Sequence, residues 1–333
     1  MQIKQAILQS EKQAVVDFLA TFDLKFNNMA DYTAYVEVDD KIVATISLAK
    51  NLICDLAVSN DLQGENLATL LISYAVAVLR ENKIYGYKVF TKPTYLDKFL
   101  DLGFRVLIKG QSFVALEGGE SNVFNTLKNL KTKITMDLGG FDGDYGAIVL
   151  NANPFTLGHL ALVEHALSKH DKVLLFVVEE DLSEFSFKER FSLTYLATIN
   201  YRDRVCVLPS TDYVVSKATF PDYFMRSADE HSKAHAEYDA MLFDEYFMKE
   251  LGITKRYIGT EVKQYMSIYN QTLTEVLRDK LELVPRFTKN DEIISASTVR
   301  DLLKKGEFDR AIDLVPKSCH AVFNMIISSK KWQ

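Results

Sequence analysis

Along residues 1–118 the apolar positions switch between a period of two and a helical period. "TAYVEVDDKIVATISLA" (33–49) predicts two alternating strands around an Asp39-Asp40 turn. "NLICDLAV" (51–58) reads as a third strand. "NLATLLISYAVAVLREN" (66–82) carries apolar residues at helical spacing and predicts a helix. "YGYKVFTK" (85–92) predicts a strand, "TYLDKFLDLGF" (94–104) a short helix with Gly103 at its end, and "SFVALEG" (112–118) a last strand. Glycine and aspartate clusters then bracket a small helix, so residues 119–145 read as a linker.

From Gly146 onward the pattern is strand then helix, repeated. Strands are predicted at "GAIVLN" (146–151), "KVLLFVV" (172–178), "RVCVLP" (204–209), "KRYIGT" (255–260) and "KLELVPRF" (280–287). Helices are predicted at 159–169, 187–200, 229–250, 266–279, 298–305 and 307–314. That alternation implies an α/β domain, 146–333, with a parallel sheet covered on both faces. Ligands of such sheets sit at the carboxyl ends of the strands, where the strand order switches.

Composition narrows the partners. The chain has 333 residues, enough for two cores, and 48% apolar with 25% charged residues is the balance of an ordinary globular protein. A net charge of −6 argues against general affinity for nucleic acid or an anionic membrane. No apolar run approaches the ~20 residues needed to cross a bilayer, and the N-terminal stretch lacks the pattern of a secretory signal. Cys54, Cys206 and Cys319 are too widely spaced for a zinc pattern or a disulfide framework. Buried reduced thiols in a cytoplasmic protein are the expectation.

The candidate chemistry begins at "GAIVLNANPFTLGHLALVEHALSKH" (146–170). Asn151, Asn153, Pro154, Phe155 and Gly158 lie between a buried strand and a helix start, where free N–H groups and the helix dipole favour an anion. Gly158 lets backbone approach closely, Thr156 supplies a hydroxyl, and His159 can donate a hydrogen bond to phosphate. "EIISASTVR" (292–300) places Ser295, Ser297 and Arg300 at a second helix start. "YIGTE" (257–261) puts Gly259, Thr260 and Glu261 at another strand end.

"NPFTLGH" with "ISASTVR" resembles the T/HxGH and ISxTxxR pair of the nucleotidyltransferase superfamily, with Thr156 at the position of the first histidine and Ser297 where many members have threonine. "GAIVLNANPFTLGHLALVEHA", "ATFPDYF" (218–224), "YIGTE" and "EIISAS-VR" together resemble the citrate lyase ligase family over most of 146–323. The resemblance implies a Rossmann-like nucleotidyltransferase domain. It implies ATP with Mg2+ as cofactors, and Thr156, His159 and Arg300 as the catalytic groups. It further implies acetate as the acyl donor and, as partner, the acyl carrier subunit of citrate lyase with its CoA-like prosthetic thiol. The implied reaction acetylates that thiol through acetyl-adenylate, releasing pyrophosphate and then AMP. Contact with nucleotide phosphates is implied for Arg190, with Lys188 nearby.

Residues 1–118 resemble a GNAT acetyltransferase fold, "LAVSNDLQGENLATLLISYAV" paralleling its acyl-CoA loop and helix. Gln63 and Ala68 match that loop, but Asn66 stands where its middle glycine is found, which argues against acetyl-CoA catalysis. A hold on the CoA-like arm and a purely structural part both stay open. The segments 179–187 and 218–224 are candidate shields for a reactive intermediate. His231 and His235, four apart beside Glu230 and Asp239, lie on a strongly polar helix face, and no metal ligand is assigned. Two other readings stay open: an adenylyltransferase of the same fold acting on a phosphate acceptor, and a nucleotide-binding regulatory protein.

Overall fold

The computed structural model describes residues 2–62, 66–179, 182–216, 219–221, 225, 227–260, 264–289 and 292–332; of 264–267, 289 and 292 it describes the backbone only. Two compact units emerge, Met1–Asn122 with Lys217–Tyr238, and Val123–Ser216 with Asp239–Gln333.

The first unit is built on a mixed seven-stranded sheet. Its elements are β1 (Ile3–Gln5), α1 (Gln9–Ala20), β2 (Tyr32–Val38), β3 (Lys41–Ala49), β4 (Leu52–Val58), α2 (Leu67–Glu81), β5 (Gly86–Thr91), α3 (Leu96–Asp101), β6 (Arg105–Lys109) and β7 (Val114–Gly119). The strand order is β1-β2-β3-β4-β5-β7-β6. Asp39 and Asp40 turn the β2–β3 hairpin with φ of 50° and 58°, the left-handed pair that a tight hairpin turn requires and that aspartate tolerates. The sheet is antiparallel except at β4–β5, whose parallel register covers only Leu52↔Lys88 and Ile53↔Val89. Asn66 caps α2 with φ of 58°, so it adopts the left-handed conformation that glycine would supply there. Gln63 lies outside the described residues. Phe220, from "ATFPDYF", is buried in this unit with its ring 5.2 Å from Phe90 and 5.7 Å from Phe113. It is a packing residue; Ala218 and 222–224 lie outside the described residues. His231 Nε2 lies 2.9 Å from the Phe220 carbonyl oxygen.

The second unit opens with α4 (Val123–Asp137), which buries Val123, Leu127, Leu130 and Ile134. Then follow β8 (Tyr145–Leu150), α5 (Leu157–Leu167), β9 (Val173–Val177), α6 (Phe187–Ala197), β10 (Val205–Pro209), α7 (Ala228–Leu242), whose residues up to Tyr238 belong to the first unit, a π-helical turn Phe243–Met248, α8 (Lys249–Leu251), β11 (Ile253–Gly259), α9 (Gln264–Leu277), β12 (Leu281–Val284), β13 (Thr288–Lys289), β14 (Glu292–Ile293), α10 (Ala296–Lys304), α11 (Phe308–Ile312) and α12 (His320–Ser328). The five-stranded sheet runs β10-β9-β8-β11-β12, parallel throughout. Every residue of β9 is buried, because helices cover both faces; that is why the strand reads as an unbroken apolar run. The chain moves outward from β8 to β10, then crosses to β11. The switch in strand order therefore falls between β8 and β11.

The α/β expectation holds in both units, and several bounds move for identifiable reasons. α5 begins at Leu157 with Thr156 as its cap, so His159 sits inside the first turn. β12 stops at Val284, because Pro285 has no N–H to continue the ladder. The helix expected over 229–250 loosens to π spacing at Phe243–Met248. β1, α1, β6 and α12 are additional to the predicted elements. All three cysteines are buried and unpaired. Among the described residues no helix is long and apolar enough to cross a membrane.

Candidate functional site

The candidate site gathers at the carboxyl ends of β8 and β11. After Leu150 the chain turns through Asn151 to Phe155 and enters α5. Phe155 is fully buried, its ring centroid 5.2 Å from that of His159, which fixes the loop from below. Thr156 N–H donates to His159 Nδ1 at 3.0 Å, and Thr156 Oγ1 lies 3.0 Å from the same nitrogen. A ring nitrogen that accepts an amide hydrogen carries no proton of its own. The neutral ring therefore holds its hydrogen on Nε2, which leaves Nε2 as a donor.

His159 keeps partial contact with solvent, yet protein atoms crowd its ring closely enough for desolvation to dominate. Burial, aided by the Arg286 cation, pushes its pKa down to about 4. The imidazole is therefore neutral at pH 7.

The two motif segments meet through Gly158. A Cβ there would sit 2.7 Å from the carbonyl oxygen of Ile294, the residue before Ser295. Ser295 caps α10, accepting from Thr298 N–H at 3.1 Å. Its hydroxyl lies 2.9 Å from that of Ser297 and 2.8 Å from that of Thr298. Two helix N-termini with their free amides and a group of hydroxyls are thus packed together, the arrangement that attracts a polyanion. Gly158→Ala is expected to force the two termini apart, at a cost of ~1–3 kcal/mol from overpacking against unyielding backbone. Chemical denaturation checks this; unchanged stability would show that the contact has slack.

The remaining candidates divide between the site and its supports. Gly259 ends β11, and among the described residues no atom lies within 4 Å of where its Cβ would be. Thr260 N–H donates to Val284 O at 2.9 Å, and Arg286 Nε donates to Thr260 O at 2.6 Å. Glu261 lies outside the described residues. Asn151 Nδ2 donates to Ser183 Oγ at 3.2 Å. Asn153 is buried and committed on both sides of its amide: Nδ2 donates to Glu184 Oε2 at 2.9 Å, and Oδ1 accepts from Phe185 N–H at 3.0 Å. Arg300 donates from Nη1 to Asn153 O at 2.5 Å, with Nε 3.3 Å from Glu184 Oε2. Pro154 follows a cis bond from Asn153 and is buried.

Arg190 is placed under the loops. It is fully buried, and its guanidinium donates to Phe185 O at 3.0 Å, Asn151 O at 2.8 Å and Val178 O at 2.6 Å. The Ser186-x-x-Glu189 capping box starts α6 and sets its register.

Two charged residues of this region, Glu184 and Arg286, are absent from the motif-based candidates. Burial opposes the charge of Glu184, but the Asn153 amide, Arg300 and Lys304 outweigh it and hold the carboxyl below its ordinary value. Neither residue has a sequence signal beyond its closeness to a motif. Of the suggested shield 179–187, Phe185 is buried, stacked 6.0 Å from Phe323, while 180–181 lie outside the described residues. Among the described residues no group of three or more His, Cys, Asp or Glu is placed to hold a metal ion.

Comparison with known proteins converges on one family. The family model "Citrate lyase ligase C-terminal domain" matches residues 145–323. A citrate (pro-3S)-lyase ligase of Haemophilus influenzae is 32% identical over 327 residues, 95% of this chain and 96% of that protein. Ligases of the same name from Klebsiella pneumoniae and Escherichia coli are 31% and 30% identical, over 92% and 97% of this chain and 90% and 94% of theirs. Similar solved structures include the GNAT domain of an S. lividans protein (TM-score 0.30, 14% identical, 35% of this chain, 89% of that one). A GNAT-family acetyltransferase of Staphylococcus aureus is similar at TM-score 0.30 and 13% identity, over 35% of this chain and 98% of that one. At that level neither bears on chemistry. With its C-terminal half matched by the family model and nearly its whole length by named relatives, the chain belongs to the citrate lyase ligase family and is an enzyme of that kind.

Proposed function

We propose that this ligase uses ATP and acetate to acetylate the prosthetic thiol on the acyl carrier subunit of citrate lyase, in the cytoplasm. An acetate oxygen attacks the α-phosphorus of ATP, forming acetyl-adenylate and releasing pyrophosphate. The thiol sulfur then attacks the acyl carbon, gives up its proton, and AMP leaves. The observation that carries this reading is the pair of packed helix N-termini at the strand-order switch, with His159 neutral and protonated on Nε2.

Each residue has a physical part in the proposal. The amides of α5 and α10, the hydroxyls of Thr156, Ser295 and Ser297, and Arg300 stabilise the charge gathering on the leaving pyrophosphate. His159 Nε2–H adds a donor without adding charge. Gly259 has no side chain to bar the nucleotide from the backbone beside Thr260. Asn151, Asn153, Pro154, Phe155 and Arg190 set the shape of the loop. No protein nucleophile is needed; positioning and charge stabilisation supply the rate. Mg2+ enters as the ion carried by the triphosphate, and no residue of this chain is assigned to it. Arg300 already contacts Glu184, so it changes partner when phosphate arrives.

Isotope exchange tests the scheme. Labelled pyrophosphate should enter ATP when acetate is present and carrier protein is absent, and AMP should then form only on addition of deacetylated citrate lyase. Exchange without acetate, or none until the carrier is added, would overturn the ordered adenylate route. An adenylyltransferase acting on a phosphate acceptor would show no dependence on acetate.

A further inference from the structure

We infer that Glu184 is an internal competitor for phosphate: its carboxylate pairs with Arg300 and Lys304, and the outer phosphates of ATP must displace it to reach those cations. This rests on the reading of the crevice as the ATP site. The observation is how the carboxylate is held. It accepts from Asn153 Nδ2 at 2.9 Å, and lies 3.3 Å from Arg300 Nε and 3.8 Å from Lys304 Nζ. An amide donor, a guanidinium and an ammonium around one carboxylate are the groups that a phosphate would take. Arg300 comes from the helix that Ser295 caps, and its Nη1 donates to Asn153 O at 2.5 Å. The loop that leads into α5 therefore fixes both the cation and its counter-ion. Against the cost of burial, the Asn153 amide, Arg300 and Lys304 hold the Glu184 carboxyl below its ordinary value, so it is ionised at neutral pH.

The main chain at Glu184 is anchored while its carboxylate can leave. Lys330 Nζ, beyond α12, donates to Glu184 O at 2.6 Å and to Glu189 Oε2 at 2.5 Å. Phe185 N–H donates to Asn153 Oδ1 at 3.0 Å, and the Phe185 ring is fully buried, 5.5 Å from that of Trp332. The side chain is different: Glu184 keeps 39% of its side-chain surface in solvent, Arg300 24% and Lys304 46%. Rotation about the Glu184 side-chain torsions therefore carries the carboxylate into water with no movement of the backbone. Half-exposed ion pairs are weak, which suits a contact that is given up in every turnover. A triphosphate brings several charges to the two cations and outcompetes one carboxylate. Glu184 thus weakens phosphate binding, and it returns to Arg300 and Lys304 as pyrophosphate leaves.

The test uses the full-length protein and its Glu184→Gln variant, with calorimetry of ATP, inorganic pyrophosphate and AMP. Glutamine keeps an acceptor for Asn153 Nδ2 and removes the charge. Glu184→Gln is expected to bind ATP and pyrophosphate more tightly by about three- to tenfold, the size of two half-exposed ion pairs released. AMP, which lacks the outer phosphates, should change by less than about twofold. A purely structural part for Glu184 predicts the opposite sign, with a disturbed loop and weaker binding of all three. Pyrophosphate affinity that is unchanged or lower in the folded variant would overturn the inference, as would an equal gain for AMP. The wild-type protein supplies a second readout that does not depend on the variant folding. Pyrophosphate should shift the 13C resonance of the Glu184 side-chain carboxyl, because that group loses both cations; a resonance that stays in place at saturation would overturn the inference as well. Tighter pyrophosphate binding in Glu184→Gln, with no acetate-dependent exchange in the wild type, would leave Glu184 in its part and remove the acetyl-adenylate reading instead. Wild-type protein that binds neither ATP nor pyrophosphate would remove both.

Discussion

His159→Ala is expected to leave a folded protein whose acetate-dependent pyrophosphate exchange is slower by on the order of a hundredfold or more, the usual cost of one donor aimed at developing charge. The stability cost should be small. The lost bond is a helix cap between Thr156 N–H and Nδ1, worth ~1 kcal/mol. The two effects therefore separate, and circular dichroism with exchange kinetics reads both. A second signature comes from pH. The unfolded imidazole takes a proton near 6.5 and the folded ring only near 4. Between those values the unfolded chain binds more protons, so the contribution of the neutral ring to stability is complete above about 6.5, declines as pH falls, and is gone below about 4. Protonation also removes the acceptor for Thr156 N–H. His159 should accordingly impose no ionisation on the rate between pH 5 and 8. A limb in that range that disappears in a His159→Gln variant would contradict the neutral-donor assignment.

The second large effect is expected at Arg190, and it is one of stability. Arg190→Met leaves three carbonyl oxygens, of Asn151, Val178 and Phe185, without the guanidinium that donates to them; the Phe185 bond is buried and the other two are partly buried. An unsatisfied buried acceptor costs ~1–3 kcal/mol and a partly buried one less, so a total of roughly 3 kcal/mol is expected. That exceeds most single substitutions. The denaturation midpoint of the second unit should fall, and ATP affinity should weaken only as far as the Asn151 loop loses its shape. Wild-type stability combined with lost ATP affinity would instead make Arg190 a phosphate ligand, as its place beside the nucleotide motifs suggests.

The contrast between His159 and Arg190 shows which kinds of information a linear chain holds. Local chemistry was legible: alternation marks the β2–β3 hairpin, continuous apolar runs mark β8 to β10, and a polar turn before helical spacing marks the start of α5. Each depends on residues a few positions apart, whose backbone preferences and burial pattern act together. Family membership was legible for a related reason, since a site built on strand ends and helix starts is written as short contiguous motifs. Charge networks were not. Arg190 and Arg286 both stand near motifs in sequence, yet one is buried under three carbonyls and the other emerges from the sheet edge beside His159. That difference was decided by Pro285 ending β12, by the register of α6 behind its capping box, and by the packing of Gly158 on Ile294, 136 positions away in sequence. The sign of the His159 shift was also beyond the sequence, because it depends on how many atoms surround the ring and where the nearest cation lies. The sequence by itself determined the strands, the helix starts and the groups able to meet an anion; the tertiary structure decided which of those groups share a crevice, because burial and charge act through distance in space and not along the chain.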